Sequence, residues 1–190
     1  RYYGVGHAVS AFCNGGFDLM GPHSGPFSSF TAYAGDPLVS LTLCALILVG
    51  GAGFLVWDDL LRCRHHWRRY RLQTKVVLFV NLVLVAGGAV LFLLLERENL
   101  GAGKILGRQA LEAVFDAVTP RTAGFNTTDT ASLSAGSTLL TIILMVVGGG
   151  PGSTAGGVKV TTVAVLFVHT VAGIRREQSA NAFGRSIAER

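Results

Sequence analysis

Two short runs, Asn14-Gly15-Gly16-Phe17 and Thr122-Ala123-Gly124-Phe125, hold the residues whose types and spacing could do chemistry. That chemistry is coordination of a cation by backbone oxygens. Gly16 and Gly124 lack a Cβ, so the chain can turn its carbonyls toward an axis at little steric cost. Carbonyls contributed by several such loops can replace the hydration shell of an ion. The runs lie 108 residues apart, and superposing them puts Gly16 on Gly124, Phe17 on Phe125 and Asp18 on Asn126. Each loop follows a short helix-like run and precedes a long apolar one, which is the signature of a duplicated unit. The candidate ion-coordinating residues are therefore Asn14, Gly15, Gly16, Thr122, Ala123 and Gly124, with Phe17 and Phe125 as packing wedges and Asn126 as loop support. The plainer alternative is a pair of glycine turns in external loops.

A second candidate is the stretch Gly148-Gly149-Gly150-Pro151-Gly152-Ser153-Thr154-Ala155-Gly156-Gly157-Val158-Lys159. Glycine costs a helix about 1 kcal/mol and proline about 3, each relative to alanine, so this run cannot stay regular helix. Apolar runs flank it on both sides, which places the break at membrane depth, in the permeation path below a filter. Lys159 is an ionisable group near the membrane, to be weighed as a functional residue or as a side chain that snorkels to the surface. A phosphate-binding loop is excluded: three residues, not four, separate Gly152 from Gly156, Val158 precedes Lys159, and Val160 replaces the required hydroxyl.

The elements that must position these loops are membrane spans. Half of the 190 residues are hydrophobic and 14% are charged. Pro37 to Trp57 carries no charge, and in Val76 to Leu95 the only strongly polar residue is Asn81. Each run approximates the ~20 residues that cross a ~30 Å hydrocarbon core. Ala131 to Ile174 is too long for one straight span and carries the glycine-rich break. The chain is expected to be an all-helical integral membrane protein.

Charge gives the orientation. Arg62, Arg64, Arg68, Arg69, Arg71 and Lys75 fall in one loop, and Arg175 and Arg176 follow the third apolar stretch. Both clusters face the cytoplasm if 37–57 runs inward, 76–95 outward and 131–174 inward. Trp67 and Tyr70 suit a membrane interface, and the loop lacks the aromatic interleaving of a nucleic-acid surface, so no nucleic-acid partner is expected.

Tyr2 to Phe12 is too short to span and reads as a re-entrant half-helix. Gly107 to Thr119, with Leu111, Val114, Phe115 and Val118 at helical spacing and Pro120 as the stop, reads as its counterpart. Glu112 and Asp116 on that half-helix suit packing or capping, and Asp18 suits either attraction at an outer mouth or a solvated loop. Met20 to Asp36 and Glu96 to Gly103 read as external loops. One unit of span, half-helix, loop and span thus covers 76–174; another, lacking its first span, covers 1–57; and 58–75 forms a basic cytoplasmic turn. Arg1 opens the chain inside an apparent helix, so an internal piece of a longer polypeptide is expected, with no signal peptide in view.

Cys13, Cys44 and Cys63 have no paired spacing, so no disulfide framework or zinc site is expected. His7, His23, His65, His66 and His169 make no acid–base or ligand cluster with carboxylates at helical spacing; no enzyme is expected, and His7 suits packing or capping. The competing transport class is a broken-helix secondary transporter for another cation or small solute. Such a protein more often carries a charged binding group inside a span, and 37–57 and 76–95 contain none.

Three stretches, Ser10 to Gly21, Thr119 to Thr127 and Gly149 to Lys159, closely resemble the Trk/Ktr/HKT superfamily of potassium transporters, most of all the bacterial KtrB/TrkH membrane subunits. Mild departures are Gly15 for a usual alanine, Gly150 for serine and Val160 for threonine. The resemblance implies a potassium-channel-like pore of four repeats, of which this chain supplies about two: the end of repeat two in 1–57 and repeat three in 76–174. By the same resemblance Gly16 and Gly124 are filter glycines and Gly149 to Lys159 is an intramembrane gating loop. Residues 175–190 then form the cytoplasmic link to the fourth repeat. It further implies a multi-pass protein of the cell membrane and uptake of K⁺, with Na⁺ as a second ion. No bound cofactor is implied; the full-length subunit would be a homodimer on a cytosolic nucleotide-binding ring.

Overall fold

The computed structural model describes residues 2–21, 29–64, 66–96, 106–128, 133–175, 180–182 and 185–187. His23, His65, Arg176, most of the 96–103 loop and much of the C-terminal link lie outside the described residues. Among the described residues seven α-helices follow one another: α1 (Tyr2–Phe12), α2 (Pro37–Ala52), α3 (Phe54–Cys63), α4 (Leu72–Leu95), α5 (Leu106–Val118), α6 (Ala135–Val146) and α7 (Val160–Ile174). Two three-residue strands, β1 (Ala180–Ala182) and β2 (Arg185–Ile187), pair antiparallel after α7, a small departure from the all-helical expectation.

Local chemistry sets the helix starts. Asp36 caps α2 by accepting from Leu38 N and Val39 N, and Pro37 follows at the first helical position, where a missing N–H costs nothing. Ser134 caps α6 through Ser137 N, and the buried Glu96 accepts Ser134 N at 2.8 Å. At 24 residues, α4 is long and apolar enough to cross a membrane alone.

The uncharged run 37–57 is not one straight helix. It breaks at Gly53, and α2 and α3 diverge by 95°. Gly53 takes φ +91°, and a Cβ there would lie 2.5 Å from Pro151 O, so only glycine lets the two backbones approach. A helix leaves its last carbonyls without intrahelical partners. Here the Trp57 indole takes Val49 O, Thr154 N takes Gly50 O and Gly150 N takes Gly51 O. The bend therefore comes from a partner distant in sequence. The basic segment expected as a plain turn holds most of α3 and a single helical turn at Trp67–Arg69, and α4 begins at Leu72, four residues before the run Val76 to Leu95.

Two buried clusters hold the half-helices in place. Ala11, Phe30, Leu43, Ile47, Phe115, Val118 and Phe125 join α1, α2 and α5. Ala89, Phe92, Ala113, Ala117 and Leu144 join α4, α5 and α6. The α4–α5 contact rests on small residues: a Cβ on Gly88 would lie 3.0 Å from Ala117 Cβ.

Candidate functional site

The short helices α1 and α5 end at the two glycine loops, and the loops repeat one backbone pattern. Asn14 (φ +50°) and Gly16 (+66°) match Thr122 (+70°) and Gly124 (+80°). The duplication read from side chains is thus also a duplication of backbone turns. The loops meet directly, because a Cβ on Gly16 would sit 2.6 Å from Ala123 O and one on Gly124 would sit 3.3 Å from Gly16 Cα. Both line a cavity of about 410 Å³ with Thr119, Asp116 and Met145. A larger groove of about 530 Å³ along α1 and α2 is mostly apolar and includes none of the six candidate coordinating residues.

Each loop is tied to its helix and to the outer side. Gly15 N bonds Ser10 O at 2.9 Å and Phe17 N bonds Ser10 Oγ at 2.8 Å, while Ala123 N and Gly124 N bond Thr119 O. The Thr119 hydroxyl donates to Phe125 O. Ser29 joins the outer ends: its N–H donates to Asp18 Oδ2, its Oγ accepts Asn126 N, and Phe30 N donates to Asn126 O. Asp18 and Asn126, equivalent in the duplication, thus meet on one serine. With Met20 N on Oδ1, both Asp18 oxygens hold loop backbone.

The two phenylalanines are not equivalent. Phe125 is fully buried and packs edge-on against Phe30 at 5.5 Å, as a wedge should. Phe17 is 73% exposed, with its ring beside Gly15. Its partner position in the first unit is taken by the His7–Phe30 contact at 4.8 Å. His7 Nδ1 lies 2.7 Å from Tyr3 O, and its Nε2 lies 3.0 Å from Leu19 N and 3.6 Å from Asp18 Oδ1. His7 therefore holds the loop against α1. On α5, Glu112 is 1% exposed and takes Arg108 at 3.1 Å, and Asp116 accepts the Thr128 hydroxyl.

The glycine-rich break runs from the end of α6 at Val146 to the start of α7 at Val160. Its base is pinched by a parallel pairing of Val147 with Val158. Gly148 N bonds Val158 O, Val158 N bonds Val146 O, and Val160 N bonds Gly149 O. A Cβ on Gly148 would fall 1.7 Å from Gly156 O, which explains a glycine at the pinch. From one side the loop is held by the freed carbonyls of α2 described above. From the other side it is held by the two glycine loops: Asn14 Nδ2 donates to Thr154 Oγ1 at 2.8 Å, and Gly156 N donates to Thr122 Oγ1 at 3.3 Å. Thr154 Oγ1 passes its own proton to Phe12 O. Asn14 and Thr122 are equivalent in the duplication, so the break hangs from the same position of both loops. The half-buried Lys159 donates from Nζ to Ala155 O at 2.8 Å, a bond across one turn of the loop.

Sequence reasoning missed Gly50, Gly51 and Gly53, which receive the break, and Arg121, whose buried guanidinium reaches Gly148 O and the Asn81 side chain. The signals were present: a glycine cluster inside an apolar run, the one polar residue of a span, and a charge beside the filter motif.

Two half-helix-and-loop units are thus set against each other between apolar helices, and the glycine-rich break separates α6 from α7 beside them. The TrkH cation transport protein family matches residues 1–189, and the chain belongs to that family. It is 40% identical over 189 residues to the potassium/sodium uptake protein NtpJ of Enterococcus hirae, covering 99% of this chain and 40% of that protein. It is 38% identical to the Ktr system potassium uptake protein B of Vibrio alginolyticus, covering 98% of this chain and 40% of the relative. The solved structure of the potassium transporter TrkH from Vibrio parahaemolyticus shares the fold, with a TM-score of 0.75 at 20% identity over 98% of this chain and 39% of that one. The chain spans about 40% of the length of these curated relatives.

Proposed function

We propose that this chain is the central part of a K⁺ uptake pore in the cytoplasmic membrane, with Na⁺ as a second transported ion. The observation that carries the reading is the pair of loops with one left-handed pattern, both hydrogen-bonded at the same position to the broken span. Carbonyls of Asn14, Gly15, Gly16, Thr122, Ala123 and Gly124 replace part of the ion's hydration shell, and two further repeats complete the ring. The loop Gly149, Gly150, Pro151, Gly152, Ser153, Thr154, Ala155, Gly156, Gly157 and Lys159 closes the path beneath them. In this reading 1–57 ends the second repeat, 58–75 is cytoplasmic, 76–174 is the third repeat, and 175–190 leads to the next. The names of the relatives support potassium and sodium as cargo. The reading also takes the full-length subunit to be a homodimer regulated by a cytosolic nucleotide-binding ring, as the resemblance of its sequence motifs implies.

The test is growth at limiting K⁺ of cells stripped of their own uptake systems. They express the intact parent polypeptide, unaltered or with Gly16 and Gly124 both changed to Ser. Rescue by the unaltered protein, weakened at equal expression by the double change, supports pore and filter together. No rescue, even with the cytosolic partner co-expressed, overturns the reading.

A further inference from the structure

Arg121 follows Pro120 at the end of the α5 half-helix and directly precedes the filter loop. Its side chain is buried, 5% exposed, and its Nη2 donates in two directions. One bond goes to Asn81 Oδ1 in the middle of α4, the other to Gly148 O at 3.2 Å. Asn81 is itself fixed, because its Nδ2 donates to Val77 O at 2.7 Å and turns Oδ1 toward the guanidinium. Gly148 sits at the pinch where the break leaves α6.

Among the described residues no carboxylate forms an ion pair with Arg121. Its Nε and Nη1 are shut off from the surface with no hydrogen-bond partner among the described residues. A buried cation without a counter-charge is costly, and an uncharged side chain would fill the same space at less cost. The charge is therefore explained by what it grips, not by packing. In the duplicated loop this position is Cys13, which is exposed, so the grip belongs to one loop alone.

The next residue completes the pattern. Thr122 accepts Gly156 N, at the far side of the same pinched loop. Two consecutive residues of the filter segment thus hold the two ends of the break, Arg121 at Gly148 and Thr122 at Gly156.

We infer that Arg121 is a positioning residue that links the filter loop Thr122 to Gly124 to the hinge at Gly148, so that ion selectivity and the state of the gate are set together. The inference rests on the proposed reading as a K⁺ pore. Displacement of the break pulls on the residue that opens the filter loop. A filter loop distorted by its ion pulls in turn on the hinge.

The experiment uses the full-length parent in cells lacking other K⁺ uptake, with surface expression measured alongside K⁺ and Na⁺ uptake. The variants are Arg121→Gln, Arg121→Lys and Asn81→Ala, with Gly124→Ser as the filter control. Loss of a charge-assisted bond is worth about tenfold or more. Arg121→Gln is therefore expected to lower K⁺/Na⁺ discrimination about tenfold and to raise basal flux per transporter at the surface. Arg121→Lys, a point charge without the planar fork, should restore part of both. Asn81→Ala should shift both in the same direction by less. A purely structural role would lower the amount of protein and leave discrimination unchanged. Discrimination and basal flux that both match the unaltered protein, while Gly124→Ser changes discrimination, overturn the inference and leave the pore reading standing. If Arg121→Gln fails to reach the membrane, Asn81→Ala decides by the same two readouts. No K⁺ uptake by the unaltered parent removes the pore reading and this inference with it.

Discussion

Changing Gly16 or Gly124 to Ala separates two costs that the structure makes unequal. Both residues lie in the left-handed region, at φ +66° and +80°. A Cβ in that region costs about 1–2 kcal/mol, which either substitution pays. Only Gly16→Ala adds a collision, because its Cβ would stand 2.6 Å from Ala123 O, closer than real Cβ atoms come. The Cβ of Gly124→Ala meets Gly16 Cα at 3.3 Å, which a few tenths of an ångström relieve. The first change therefore strains its own loop and also displaces a carbonyl of the opposite loop. The second mainly strains its own. A penalty of 1–2 kcal/mol corresponds to roughly a 5- to 30-fold change in an equilibrium. Gly124→Ala should fall in that range for K⁺ affinity, and Gly16→Ala should exceed it with a larger loss of K⁺/Na⁺ discrimination. The assay is uptake of K⁺ and Na⁺ by the full-length parent in proteoliposomes, over a range of ion concentrations at matched protein content. Equal discrimination in both variants and the unaltered protein would refute the assignment of these carbonyls to the filter. A larger effect from Gly124→Ala would refute the geometry.

Three further outcomes follow from named contacts. Deleting Gly150 to Gly156 removes the segment held by α2 and both filter loops, and flux per transporter at the surface should rise; low flux at normal surface expression would remove the gate role. Asp59 is buried at the α3–α4 junction, where burial alone would raise its carboxyl. Bonds from the Thr74 hydroxyl and Arg71 N–H, with the Arg71 and Arg62 charges, outweigh burial and hold it below the usual range. A depressed carboxyl stabilises the fold above its unfolded value of about 3.9 and loses that contribution as pH falls through the folded value. Asp59→Asn should thus cost about 1.5–3 kcal/mol near neutrality, with the gap to the unaltered protein closing in acid, read by thermal melting in detergent at several pH values. Gly88→Val should force α4 from α5 at the Ala117 contact and cost about 1–3 kcal/mol, and an unchanged melting temperature would contradict that packing.

The parts legible in the sequence are those that depend on local chemistry. Glycine without a Cβ marks the two left-handed turns, Pro120 marks the end of a half-helix, and triple glycine with proline marks a break that the helix cannot cross. Each was found where the residues said it would be. What the sequence hid depends on partners far along the chain. The run 37–57 contains neither charge nor proline after its first residue, so nothing local announces the 95° turn at Gly53. Gly50, Gly51 and Gly53 look like tolerated small residues in a span. Their meaning comes from Gly150, Pro151 and Thr154, about a hundred residues later: Gly150 N bonds Gly51 O, Thr154 N bonds Gly50 O, and a Cβ on Gly53 would stand 2.5 Å from Pro151 O. Phe17 and Phe125 share a motif but not an environment, because burial is a property of neighbours: Phe30 stands beside Phe125, and Phe17 faces outward.

Under the proposed reading, the same long-range docking explains how a helix can end inside a membrane. Carbonyls freed at the end of α2 would each cost about 1–3 kcal/mol if left buried and unpaired. The break supplies N–H groups from Gly150 and Thr154 to two of them, and Trp57 serves a third. The two irregular segments thus satisfy each other: α2 can stop because the third span is broken, and the broken span can stay ordered because α2 stops. Under the proposed reading, withdrawing the loop from the path uncovers Gly50 O and Gly51 O together with the Thr122 hydroxyl and the Asn14 amide. The oxygens then need water or a passing cation, and the Asn14 N–H needs water. Opening the gate and wetting the path below the filter are in that case one event, which is why a helix ending in paired glycines suits this place better than an uninterrupted span.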